Sequence, residues 1–280
     1  MFRNLCCGAI GVSADLKQSL EYAKLGGYQG VDVPLNEVAS LGADAVKALF
    51  ADSGMQMGGI GFPAKWMGSE DEWQASLEDC RQACALAQAV GATRAATWMP
   101  SWSDERDWAE NLEFHVTRFR PIAQIMADHG VRLGLEFLGP KTLRDGHRYE
   151  FIHTIAGMLE LCRAIGTGNM GLLLDAWHWY TSGGTLADLA GLTNDDIVYV
   201  HINDAPAGIP LDQQVDNVRC VHGETGVIDL SGFLQALKTA GYDGPVTPEP
   251  FSQKVREMAP ADAVTYTGKL LQDVWAQAGL

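Results

Sequence analysis

Short apolar runs alternate along this chain with longer amphipathic stretches. The runs begin near Leu5, Gly30, Met55, Thr93, Val131, Met170, Ile197 and Pro245. Several are apolar at almost every position, as expected of strands buried on both faces of a parallel sheet. Helical patterns fill the intervals at 13–25, 36–53, 69–90 and 108–129. Each stops at a glycine: Gly26, Gly54, Gly91 or Gly130. A capping residue in front and a glycine behind are the punctuation a helix needs, because glycine accepts the left-handed turn that ends it. Later helices are expected over 151–165, 185–189, 229–240 and 261–277, the third last of the eight intervals holding the shortest. Strand–helix units repeating at roughly 35 residues predict a (β/α)8 TIM barrel, with 1–280 forming a single domain. A doubly wound sheet would need a glycine-rich phosphate turn opening a helix. Gly8-Ala-Ile-Gly11 and Gly58-Gly-Ile-Gly61 are the nearest stretches, and neither matches that fingerprint.

Four runs in the second half end on a side chain able to bind a metal. They are Leu133-Gly-Leu-Glu136, Leu172-Leu-Leu-Asp175, Val198-Tyr-Val-His201 and Val246-Thr-Pro-Glu249. In a closed parallel barrel all strand C-termini share one rim, so four distant positions become one cluster. Each residue alone reads as a helix cap, an ion-pair partner or a satisfied core histidine. Four in successive units are better explained together, since an uncompensated carboxylate at the end of a buried strand is costly and one divalent cation relieves them all. The set is mainly oxygen, which suits Mn²⁺, Mg²⁺ or Co²⁺ better than a structural zinc. Glu249 lies between Pro248 and Pro250, which hold the backbone extended and stiffen the mount of that carboxylate. His178 follows Asp175 by three residues and is a candidate either for a donor that supports the ligands or for a substrate contact, and Arg219 is a candidate for holding a substrate oxygen. Loops 139–149 and 204–228 follow ligand-bearing strands and are expected over the same face.

Charge narrows the choice of substrate. With 35 acidic against 20 basic side chains the formal net charge is −15, a field that repels nucleic acid and anionic membranes. The six cysteines form no CxxC pair, and no apolar leader or run of transmembrane length is visible. Reduced, mostly buried thiols in a cytoplasmic protein are therefore expected.

The segments Leu135-Glu136-Phe137, Leu174-Asp175-Ala-Trp-His178, His201-Ile-Asn-Asp204, Arg219 with Gly223-Glu-Thr-Gly-Val-Ile-Asp229, and Glu249-Pro-Phe251 resemble the sugar phosphate isomerase/epimerase superfamily, the xylose isomerase-like TIM barrels. Ketose 3-epimerases and inosose isomerases or dehydratases are similar there. The resemblance implies that Glu136, Asp175, His201 and Glu249 bind one divalent metal, Mn²⁺ foremost, with Mg²⁺, Co²⁺ or Zn²⁺ as alternatives. It implies that His178 and Arg219 contact substrate hydroxyls. Arg148-Tyr-Glu150 resembles a substrate-side stretch of the epimerases, which makes Glu150 a further substrate-binding candidate. Glu136 and Glu249 are then the catalytic pair, one taking a proton next to a ketone and the other returning one.

The expected activity is a metal-dependent isomerase or epimerase on a small sugar or cyclitol. A metal-dependent lyase or dehydratase on keto-sugars, cyclitols or 3-keto-glycosides is the runner-up. An AP-endonuclease-like nuclease is less favoured, because the ends of strands two to four offer Asp32, Gly61 and Trp98 instead of zinc-binding histidines. A non-catalytic sugar-binding barrel is disfavoured by the full ligand set. No nucleic-acid or membrane partner is expected, and a homo-oligomer is left open. Trp66, Trp98, Trp102, Trp177, Trp179 and Phe251 lie near strand ends; packing is the expected role of most of them.

Overall fold

The computed structural model describes residues 1–280. Its strands in chain order are β1 Phe2–Leu5, β2 Gly30–Val33, β3 Gln56–Ile60, β4 Arg94–Met99, β5 Trp102–Ser103, β6 Arg132–Phe137, β7 Tyr149–Glu150, β8 Met170–Asp175, β9 Ile197–Ile202 and β10 Pro245–Pro248. Eight of them pair in parallel and close in the order β1-β10-β9-β8-β6-β4-β3-β2. This is the (β/α)8 barrel that the alternation of runs predicts. The short strands β5 and β7 stand apart as an antiparallel pair, with Trp102 opposite Glu150.

The helices are α1 Leu16–Gly26, α2 Leu35–Leu41, α3 Ala43–Ser53, α4 Glu70–Val90, α5 Trp108–Asp128, α6 Ile155–Ile165, α7 Ala176–Thr181, α8 Leu186–Leu189, α9 Leu230–Thr239, α10 Gln253–Arg256 and α11 Pro260–Gln277. Reciprocal capping fixes several starts. Asp15 accepts from the Gln18 N–H, Ser69 from Glu72 and Asp107 from Glu110, and the third-residue side chain returns the bond in each case.

Several boundaries differ from the pattern-based expectation, among them the helix starts at Leu16 and Ile155, and three differences have a clear physical reason. The first strand ends at Leu5 instead of beginning there, because Phe2 and Asn4 are already buried in the ladder. The helix expected over 36–53 is two helices, broken at Gly42, whose φ of 87° no helix accommodates. Helix α7 follows β8 without a loop, where the aromatic run Trp177-His-Trp-Tyr180 gives no helical period.

The core lies between barrel and helices, with Phe119, Phe137, Trp177 and Phe233 fully buried. All six cysteines are free thiols, four of them buried. No helix is long and apolar enough to cross a membrane. Loops 139–149 and 204–228 meet on one face, where the Thr142 hydroxyl donates to the Gln214 carbonyl at 2.7 Å.

Candidate metal and active site

Strand pleating places the candidate ligands. Alternate residues of a strand face alternate sides. Leu173 and Asp175 of β8, and Tyr199 and His201 of β9, therefore share the barrel-interior face. Thr247 and Glu249 at β10 follow the same alternation, and the Thr247 hydroxyl meets that of Tyr199 inside the barrel at 2.7 Å. The ladder pairs Asp175 with His201 and His201 with Thr247, so register sets Asp175 beside His201 and brings Glu249, two residues past Thr247, to the same rim. The Glu249 N–H still reaches the Ile202 carbonyl at 3.1 Å, extending the ladder past Pro248.

Glu136, Asp175, His201 and Glu249 come together as one cluster, each offering an atom within 4.8 Å of the others. His201 Nδ1 lies 3.4 Å from Glu136 Oε1, 3.3 Å from Glu249 Oε2 and 3.8 Å from Asp175 Oδ2. Atoms about 2.0–2.2 Å from one small divalent cation stand roughly 3–4.4 Å apart, so this spacing suits such an ion. The bonding supports the same conclusion: Glu136 Oε1 and His201 Nδ1 are buried without a hydrogen-bond partner, which a native interior seldom tolerates.

The site's electrostatics are strained in one place and balanced in another. Burial drives the Glu136 carboxyl up to about 7, against the pull of His201 and with Asp175 and Glu249 adding to the rise. Burial would lower His201, but Glu249 and Glu136 outweigh it and hold the imidazole well above its usual range. Burial would raise Asp175 as well; Arg219, then His178 and His201, overrule it and hold that carboxyl well below the carboxylate range. Glu249 is likewise held low by His201 and Arg219 against its burial.

Asp175 divides its oxygens between two tasks. Oδ1 caps α7, accepting the N–H of Trp177 at 2.6 Å and of His178 at 3.1 Å. Oδ2 faces the cluster and accepts from Arg219 Nη1 at 2.9 Å. The helix-cap role and the ligand position thus coexist in one carboxylate.

Arg219 is buried among three carboxylates. Its Nη1 also reaches Glu249 Oε2 at 3.1 Å, and its Nη2 reaches Asp216 Oδ1 at 2.8 Å and His178 Nε2 at 3.1 Å. Phe251, at an unusual φ of 42°, sets its ring 4.5 Å from the guanidinium carbon. His178 is buried, and burial pushes it down to about 4, so it is neutral at pH 7. Its Nδ1 faces the Gly139 N–H at 3.1 Å while Nε2 faces Arg219. A neutral imidazole has one acceptor nitrogen, so one of these donors is mismatched in the closed arrangement.

The sequence profile of xylose isomerase-like TIM barrels matches residues 20–271. The chain belongs to that family. Among curated relatives, an inosose isomerase of Halalkalibacterium halodurans is 30% identical over 146 residues, 51% of this chain and 48% of that protein. A 3-dehydroshikimate dehydratase of Pseudomonas aeruginosa is 30% identical over 138 residues, 49% of this chain and 20% of that protein. The match thus spans about half the length of the isomerase and less of the dehydratase. Among solved structures, a xylose isomerase domain protein from Alicyclobacillus acidocaldarius superposes with a TM-score of 0.85 at 29% identity, covering 99% of both chains.

Within this xylose isomerase-like barrel, His178 and Arg219 touch the ligand cluster but Glu150 does not join it. Glu150 lies on β7, exposed, 3.8 Å from Arg144. Trp66, Trp177 and Trp179 are core residues, whereas Trp98 is exposed. Three supporting residues have no role that the sequence pattern assigns; Asn203 and Asp204 stand in the His201–Asp204 segment, and Asp216 carries no signal of its own. Asn203 donates to both Asp175 oxygens at 3.2 and 3.1 Å. Asp216 holds the far side of Arg219. Asp204 accepts the N–H groups of Ala205, Thr225, Gly226 and Ile228, and so pins loop 204–228 over the rim. The glycine and threonine of the 223–229 motif are explained by that wrapping.

A cavity of about 480 Å³ opens beside the cluster and is lined in part by His201 and Glu249. This is the size expected of a small-molecule site.

Proposed function

We propose that the protein is a divalent-metal-dependent isomerase or epimerase acting next to a ketone on a small polyhydroxylated substrate, a ketose, keto-sugar or inosose. The observation that carries this reading is the pair Glu136 and Glu249. They come from the ends of different strands, each stands beside His201 Nδ1, at 3.4 and 3.3 Å, and a cavity opens next to the cluster. Glu136, Asp175, His201 and Glu249 would hold the ion, with Mn²⁺ favoured by the oxygen-rich set. When bound, it supplies Lewis acidity that polarises a carbonyl and eases loss of the neighbouring proton.

The chain's own residues do the rest. One glutamate removes the proton from the carbon beside the carbonyl, and the C–H electron pair moves into the carbonyl system. The other delivers a proton to the opposite face, so the carbon inverts with no change in oxidation state. Glu249 Oε2 is engaged by Arg219, which leaves Oε1 for the proton; in Glu136 the oxygen away from His201, Oε2, is the one free. Arg219 and neutral His178 hold substrate oxygens. Loops 139–149 and 204–228, tied by Thr142, stand over the same face.

Dehydration is the second reading, favoured by the similarity to a 3-dehydroshikimate dehydratase. It needs an acid for the departing oxygen, and His178 pushed down to about 4 holds no spare proton at neutral pH.

The test is NMR of Mn²⁺-loaded protein in D₂O with a panel of ketoses, inososes and 3-keto-glycosides. Deuterium entering the carbon beside the ketone, without loss of water, is the expected result. Deuterium entry with water loss would replace this reading with dehydration. A metal-replete Glu136→Gln variant exchanging at the wild-type rate would remove Glu136 from the proton path.

A further inference from the structure

One more carboxylate faces the same cavity, and the reaction described above does not use it. Asp32, on β2, lines the cavity together with Cys6, His201 and Glu249. Its Oδ1 accepts from Asn4 Nδ2 at 2.9 Å, from the Gly59 N–H at 2.8 Å and from the Tyr199 hydroxyl at 2.8 Å. Its Oδ2 accepts from that same hydroxyl, at 3.0 Å. Asn4 and Thr247 complete the network, with the Thr247 hydroxyl 2.7 Å from that of Tyr199. Four strands thus hold one carboxylate in place.

Strand β3 makes room for it. A methyl group on Gly58 would collide with Asp32 Oδ1, and one on Gly59 would stand 2.8 Å from the Tyr199 ring. The glycine pair Gly58-Gly59, which opens no phosphate turn, gives space to an acid. The Tyr199 ring packs edge-on to His201 with centroids 5.5 Å apart, so Asp32 lies one side chain from the ligand cluster.

A strut between strands could be neutral. This one brings charge into a cavity whose lining contains neither lysine nor arginine. Arg219 is nearby, but three carboxylates already occupy it. Asp32, Glu136, Asp175, Asp216 and Glu249 outnumber it five to one, and the two positive charges of a divalent cation would still leave negative charge in excess.

We propose that Asp32 selects uncharged polyols. Its Oδ2 accepts a hydroxyl from the part of the substrate remote from the ketone, and its charge turns away molecules that carry phosphate or carboxylate. The proposal rests on the isomerase/epimerase reading for the chemistry, but it concerns only which molecules the cavity admits.

The test compares binding to the Mn²⁺-loaded full chain by calorimetry and saturation-transfer NMR. The probes are two pairs: an inosose against 3-dehydroshikimate, which match in size, and D-fructose against D-fructose 6-phosphate, which share one sugar. The neutral member of each pair should bind about tenfold tighter or more, a gap that shrinks as salt rises. Asp32→Asn keeps the shape of the side chain and should cut the gap to about threefold or less. Tyr199→Phe removes a donor but no charge, and should keep the gap. Equal binding of neutral and anionic probes by the wild type would overturn the proposal without any variant. So would an Asp32→Asn protein of wild-type melting temperature that keeps the full gap. Absence of deuterium exchange would count against the reaction proposed above and leave this binding ratio standing.

Discussion

Asp32 and Glu136 are carboxylates on barrel strands that face one interior, and burial raises both above the usual range. Their surroundings differ. Asp32 is met by neutral donors: an amide, a backbone N–H and a phenol. Glu136 Oε1 meets no donor, and the atom 3.4 Å away, His201 Nδ1, is itself unpartnered. A buried carboxylate satisfied by dipoles can stand alone, whereas one without donors needs a cation. The same barrel holds a carboxylate satisfied by neutral donors on the β2 side, where only the Asn4 Oδ1 lacks a partner, and a carboxylate without a donor on the β6–β10 side. The carboxylate without a donor is where chemistry is expected.

The largest effect that sharpens this contrast concerns Arg219. In protein treated with EDTA, Arg219→Met would strand Asp175, Asp216 and Glu249 and should cost about 3–5 kcal/mol, as breaking a buried pair does. Asn4→Ala removes one neutral donor from Asp32 and should cost only about 1–3 kcal/mol. Urea unfolding of both variants measures this. If Arg219→Met proved no worse than Asn4→Ala, the distinction between an ionic and a dipolar network would fail.

A smaller effect comes from histidines outside both networks. Burial pushes His115 and His222 down to about 4, and each is held by a backbone carbonyl, of Asn111 at 2.7 Å and of Thr267 at 2.8 Å. The folded protein keeps them neutral while the unfolded chain protonates them near 6.5. The stability they contribute is therefore complete above about pH 6.5 and is lost as pH falls towards 4, by at most about 3 kcal/mol each. Unfolding free energy measured from pH 7 to pH 4 should fall, and His222→Asn should flatten the slope. A flat profile in the wild type would contradict the assignment.

Much of this contrast is legible in the chain, but unevenly. The runs ending in Glu136, Asp175, His201 and Glu249 stand out because fully buried strands carry apolar side chains on both faces, so a terminal charge is conspicuous. The break at Gly42 does not stand out, because a single glycine inside a helical period looks tolerable until its φ of 87° is seen. Helix α7 is hidden because its aromatic residues are buried on several sides. The Asp32 network is invisible for a different reason. Asn4, Asp32, Tyr199 and Thr247 are isolated polar residues in four separate strands, and only cross-strand register brings them together. Glu150 is legible only as a local likeness to a substrate-side segment; its antiparallel pairing with Trp102 in a separate two-stranded sheet, with the side chain exposed, depends on chain folding that the sequence does not display.

Titration of EDTA-treated protein with Mn²⁺ by calorimetry, on wild type, Glu136→Gln and Asp32→Asn in parallel, tests the difference between the two carboxylates most directly. The account predicts one ion per chain in the wild type. It predicts affinity lowered about 100-fold or more in Glu136→Gln and by less than about threefold in Asp32→Asn, since only the former loses a candidate ligand. Equal affinity in all three proteins, or a loss confined to Asp32→Asn, would contradict it.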